Sequence, residues 1–105
     1  MLSKKKLNKI KEQLDPILFE VCDDNVCWNL LNEEDTIDEA ELKLYHKATT
    51  ILNTQIESDI HMTLYTGKWN CIMYKDNLKR HTILLNKIME SYCWKERYGE
   101  RKWEN

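Results

Sequence analysis

Thr36-Ile37-Asp38-Glu39-Ala40-Glu41-Leu42-Lys43-Leu44-Tyr45-His46-Lys47-Ala48-Thr49-Thr50-Ile51-Leu52-Asn53-Thr54-Gln55-Ile56 is the stretch that decides the fold. Its first four residues fit a capping box, in which the Thr hydroxyl and the Glu carboxylate each satisfy a backbone amide that the first helical turn leaves open. Behind the box, Ile37, Ala40, Leu44, Ala48, Ile51, Leu52 and Ile56 recur at helical spacing. The pattern predicts a helix from Ile37 to at least Glu57. Glu57 is the shorter bound and Tyr65 the longer one, for which Gly67 would serve as the C-terminal stop.

Toward the N-terminus, Ser3 is a candidate cap for a helix carrying Leu7, Ile10 and Leu14, with Lys4, Lys5, Lys9 and Lys11 on its surface. Asp15-Pro16 predicts a break, because Pro is tolerated at a first helical position and Asp is a favoured cap. A short helix with Ile17, Leu18 and Val21 follows. Asp23-Asp24-Asn25 marks another turn or cap before an apolar helix with Val26, Trp28, Leu30 and Leu31, ending near Glu33.

Toward the C-terminus, residues 60–74 read two ways. Ile60, Met62 and Leu64 alternate with polar neighbours before Thr66-Gly67, and Trp69, Cys71 and Met73 follow, as in a small β-hairpin. Leu52, Ile56, Ile60 and Leu64 also form an i, i+4 row, which favours a helical corner. A last helix is expected from after Asp76 to Tyr98, with Leu78, Leu85, Ile88, Met89 and Tyr92 inward and Gly99 beyond its end. Two glycines and one proline in 105 residues leave few tight turns for a β-rich fold. The expectation is one all-α domain over residues 1–105, a compact bundle of four or five helices.

Charge is strongly segregated along this chain. Asp15, Glu20, Asp23, Asp24, Glu33, Glu34, Asp35, Asp38, Glu39 and Glu41 form a run that no Lys or Arg interrupts. Net charge is +4 over residues 1–14, −10 over 15–41 and +4 over 42–105. Such layout bears on partners rather than on fold. The chain has no run of about 18 apolar residues and no apolar stretch behind Lys4-Lys5-Lys6, so neither a membrane span nor a secretory signal is expected. Cytoplasmic residence is the corresponding expectation. In a reducing compartment Cys22, Cys27, Cys71 and Cys93 read as free thiols that pack as small hydrophobes.

The residue patterns that catalysis needs are missing from the sequence. The four Cys and three His lack zinc-site spacing, and Cys22 and Cys27 would occupy different faces of a straight helix. Ser3, Ser58 and Ser91 have no nucleophile-elbow context, and no glycine-rich phosphate loop is present. The carboxylates form one cluster, whereas metal-dependent hydrolysis in helical proteins takes acidic motifs on different helices. The expected protein is therefore not an enzyme and uses no cofactor or metal.

What remains is binding. Asp15, Asp38 and Glu39 suit helix N-termini, and Glu39 stands at i, i+4 to Lys43. Asp23, Asp24, Glu33, Glu34 and Asp35 lack such a local reason. With Asp38 and Glu41 they form the candidate partner-binding set, and Trp28 and Trp94 are the candidate aromatic anchors. A negative patch of this kind steers a protein onto a basic surface, such as that of a nucleic-acid-processing enzyme. The expected role is an inhibitor or antagonist of phage, mobile-element or immunity type. The competing structural reading folds the Lys-rich first helix across the acidic run. The competing functional reading is a helical nucleic-acid-binding or regulatory protein that uses its basic ends, Lys4–Lys11 and Lys95–Lys102, the latter within the interleaved aromatics and cations of residues 92–103.

Overall fold

The computed structural model describes residues 2–65 and 68–98, with the side chains of residues 68–71 and 93–98 outside that description. Among the described residues the chain is all-α, with no strand. Its helices are α1 (Lys4–Gln13), α2 (Ile17–Val21), α3 (Asp24–Leu30), α4 (Ile37–Tyr65) and α5 (Lys68–Tyr98).

Each short helix starts where a side chain closes its first turn. Ser3 Oγ accepts from the Lys6 amide at 3.1 Å, and Asp23 Oδ1 accepts from the Val26 amide at 2.9 Å. Asp15 Oδ1 takes the Ile17 amide at 3.1 Å, with Pro16 set at the head of α2. Helices of 5 and 7 residues do not persist alone. They hold because Leu18, Cys22, Cys27 and Leu31 are buried in one cluster with Leu7, Ile10 and Leu14 of the first segment. Against them stand Ala40, Leu44 and Ala48 of α4 and Ile88 of α5.

The capping box is formed as the sequence predicts. The Glu39 amide donates to Thr36 Oγ1 at 3.1 Å, and the Thr36 amide donates to Glu39 Oε1 at 3.2 Å. From there α4 continues for 29 residues, about 44 Å at 1.5 Å per residue. That length accounts for most of the longest dimension of the molecule, 48 × 32 × 16 Å.

Helices α4 and α5 form an antiparallel pair. Tyr45 meets Tyr92 edge-to-face at 5.3 Å near one end, and Asp59 meets His81 farther along. The short helices lie on one side of this pair and at one end of it. Asp15 Oδ2 takes the Ser91 hydroxyl at 3.2 Å, and the Cys22 thiol approaches the Leu44 carbonyl at 3.9 Å.

Several expectations change. The segment read as a possible hairpin is helical where it is described: α4 runs to Tyr65 and α5 starts at Lys68. The i, i+4 row prevailed because a helix already nucleated extends at little cost, whereas an isolated hairpin has nothing to pack on. Thr66 and Gly67 lie outside the described residues, as does Gly99. Helix α5 starts eight positions before Asp76, which stands exposed inside the helix and caps nothing. Met89, expected inward, is 41% exposed, while Leu84 is half-buried against the core.

Candidate docking face

The acidic run spans α2, α3, the loop after it and the first turn of α4. Burial sorts its carboxylates. Asp35 and Glu41 are buried, Asp15 is intermediate, and Glu20, Asp23, Asp24, Glu33, Glu34, Asp38 and Glu39 are exposed. Trp28 stands among them at 42% exposure, one helical turn from Asp24 on α3.

Most of these groups also do local structural work. Asp24 is ion-paired with Lys11, whose ammonium also lies 5.8 Å from the Phe19 ring centre. Glu33 accepts from the Ser3 amide at 2.9 Å and from the Ser3 hydroxyl at 3.2 Å, tying the loop after α3 to the start of α1. The Ser3 backbone N–H, helped by the hydroxyl and the nearby Lys6 charge, holds the Glu33 carboxyl below the usual glutamate range.

Asp35 is the most deeply engaged of the set. Lys43 Nζ donates to Oδ2 at 2.9 Å and to Oδ1 at 3.1 Å, and the Asn32 amide donates to Oδ2 at 2.9 Å. Burial alone pushes this carboxyl up. The Lys43 ammonium and the Asn32 amide outweigh it and leave the group below the ordinary aspartate range. Lys43 thus goes to Asp35, not to Glu39 one turn away, because Glu39 is held by its capping amide.

The first helix therefore covers the acidic run only in part, through Lys11 at Asp24 and Lys6 near Glu33 and Asp35. A hydrogen bond from an amide or hydroxyl leaves a carboxylate's negative charge in place, whereas an ion pair offsets it. Asp23, Glu33 and Glu39 belong to the first kind, Asp24 and Asp35 to the second. Glu20 and Glu34 extend the negative surface from exposed positions. The Trp94 side chain lies outside the described residues.

Other chemistry is sparse. Cys22 and Cys27 are both fully buried, because the break between α2 and α3 brings together positions that a straight helix would separate. Burial first, then the neighbouring Cys27, pushes the Cys22 thiol up to about 12. Burial, followed by Asp24, raises Cys27 as well. Thiols so held are poor nucleophiles. Among the described residues, no three His, Cys, Asp or Glu side chains stand together as metal ligands do. No described helix is long and apolar enough to cross a membrane.

Two features had no signal in the sequence. Asp59 and His81 meet at 2.6 Å between α4 and α5, largely buried. A groove of about 260 Å³ opens between the same helices, lined by Tyr45, His46, Thr49, Thr50, Met89 and Tyr92. Its two threonines donate to their own helix, Thr49 to the Tyr45 carbonyl at 2.8 Å and Thr50 to the His46 carbonyl at 2.9 Å. No family model, curated protein or solved structure matches this chain.

Proposed function

We propose that this chain is a small non-enzymatic binding protein that docks its acidic face on a basic surface of a partner protein, as an inhibitor or antagonist. A partner whose own ligand is a nucleic acid has the complementary charge, and a carboxylate-rich face laid in its groove stands where phosphates would. The observation that carries this reading is the exposure of seven of the ten carboxylates in the acidic run, around an exposed Trp28. Bonds to amides and a hydroxyl fix Asp23, Glu33 and Glu39 while leaving their charge at the surface. A fixed array loses little freedom on docking, which favours affinity as well as steering.

The structure changes which residues test this reading. Glu33 and Asp35 hold the loop after α3, so reversing them disturbs the fold together with the charge. Glu20→Lys with Glu34→Lys changes charge at exposed positions alone. With a partner captured from the native host, the double variant is expected to associate about tenfold or more slowly at low salt, a difference that shrinks as salt rises. Unchanged association at all salt concentrations, with helicity intact, overturns the proposal. Lys4, Lys5 and Lys9 are exposed on α1 and support the nucleic-acid reading as the alternative. Retention of DNA or RNA at about 50 mM salt, lost steeply above it, would favour that alternative.

A further inference from the structure

We propose that the bare face of the α4–α5 pair joins a second copy of this chain, forming a four-helix bundle about a two-fold axis parallel to the helices. This face lies opposite α1–α3. The short helices pack on the side bearing Ala40, Leu44, Ala48 and Ser91. On the other side Leu42, Ile56, Ile60 and Leu64 of α4 and Leu78 and Met89 of α5 follow helical spacing along the pair. Four of them are 41% to 70% exposed, and Ile56 and Leu78 are half-buried.

A helix pair of this length that leaves one long face apolar lacks its second layer. The molecule is only 16 Å across in its thinnest direction. Two helices packed face to face stand about 8–10 Å apart, so a second pair on this side would complete a bundle core.

Charge selects the occupant. Positions 42, 49, 53, 56, 60 and 64 of α4 and 78, 82, 85 and 89 of α5 carry no Asp, Glu, Lys or Arg, and the charges on the same stripes, Asp38 and Lys75, stand one turn beyond these positions at the ends of the face. An acidic or basic partner therefore gains nothing there, while a second copy brings an uncharged face of the same length and spacing. At the edges the charges are complementary. The two-fold axis sets each α4 over the partner copy's α5 at the same height. The Asp59–His81 contact puts Glu57 of α4 within about one to two turns of Lys79 on α5, at opposite edges of one chain. In the dimer Glu57 of each copy then falls beside Lys79 of the other, both from exposed positions. The groove beside Tyr45 and Tyr92 opens on this same face and offers a hole for an apolar side chain. The acidic groups of α2, α3 and the loop after it stay on the far side, while Asp38, one turn from Leu42, lies at the end of the dimer face.

Sedimentation equilibrium of the full chain across a micromolar concentration series tests this. The expected mass approaches twice the 12.7 kDa of one chain. A mass of one chain throughout overturns the proposal, as does a single chain that binds a different helical protein through this face. Ile60→Glu with Leu64→Glu is expected to return the mass to one chain, with far-ultraviolet dichroism showing it folded. Ile83→Glu, on the outward side of α5, is expected to leave the dimer unchanged. Glu57→Lys or Lys79→Glu alone should weaken association, and the two together should restore it. Failure of the double swap to restore it overturns the two-fold arrangement.

Discussion

The two ends of the α4–α5 pair are built on different principles. At the end wrapped by α1–α3, Ala40, Leu44, Ala48 and Leu52 of α4 are at most 1% exposed, and the packing is mainly apolar, although Glu41 is buried with them. Beyond Leu52 the one described α4 residue that is buried is Asp59, held by His81 of α5. Its neighbours Ile60, Leu64 and Tyr65 are 44%, 70% and 73% exposed. Two helices alone cannot enclose a core, so apolar side chains near their free end stay in water whatever the hydropathy pattern says. A hydrogen-bonded Asp–His pair there fixes register between the helices without needing a third layer.

The difference can be broken from either side. The largest effect is expected at the wrapped end, where Leu44→Ala should lower unfolding free energy by about 2–5 kcal/mol in urea titration, from lost burial plus a cavity. Next is Asp59→Ala, which strands His81 between the helices and should cost about 1–3 kcal/mol. That loss should appear as local opening beyond Leu52 more than as global unfolding. Thr36→Ala removes one half of the capping box and should cost about 1 kcal/mol in the same titration. Smallest is Ile83→Glu, at an exposed position, expected within about 0.5 kcal/mol of the parent.

Asp35 adds a pH dependence at the wrapped end. Its folded carboxyl lies below the ordinary aspartate value, so its contribution is full above that ordinary value and is lost as pH falls through the lowered folded one. Acid titration of stability should therefore show a limb that Asp35→Asn flattens. Cys22 and Cys27, raised by burial, should resist alkylation by iodoacetamide in the native state and react on unfolding.

What was legible in the sequence was local. The capping box at Thr36, the Ser3 cap and the Pro16 break all act within three residues, and each sits in place, whereas Asp23, set among the carboxylates without a local reason, is in fact the cap of α3. The expected start of α5 after Asp76 gives way to Lys68, because packing along α4, which has no local signature, carries the helix through that position. The acidic run was visible as a count. Its sorting depended on partners distant in sequence, Ser3 for Glu33 and Lys11 for Asp24. Trp28 stands exposed because the break before α3 turns Cys27, not Trp28, into the core. The Asp59–His81 pair spans two helices and has no short-range signature.

The central claim is that a single chain supplies its own core at the wrapped end, while the bare face along the pair, and with it the far end, is covered by a second copy. Hydrogen exchange measured as a function of protein concentration tests it most directly. Amides of residues 44–52 should exchange slowly even in dilute solution, where the core of a single chain already protects them. Those of residues 56–65 and 72–82 should exchange quickly in dilute solution and slow markedly as concentration rises. Slow exchange at both ends that is indifferent to concentration would contradict the account.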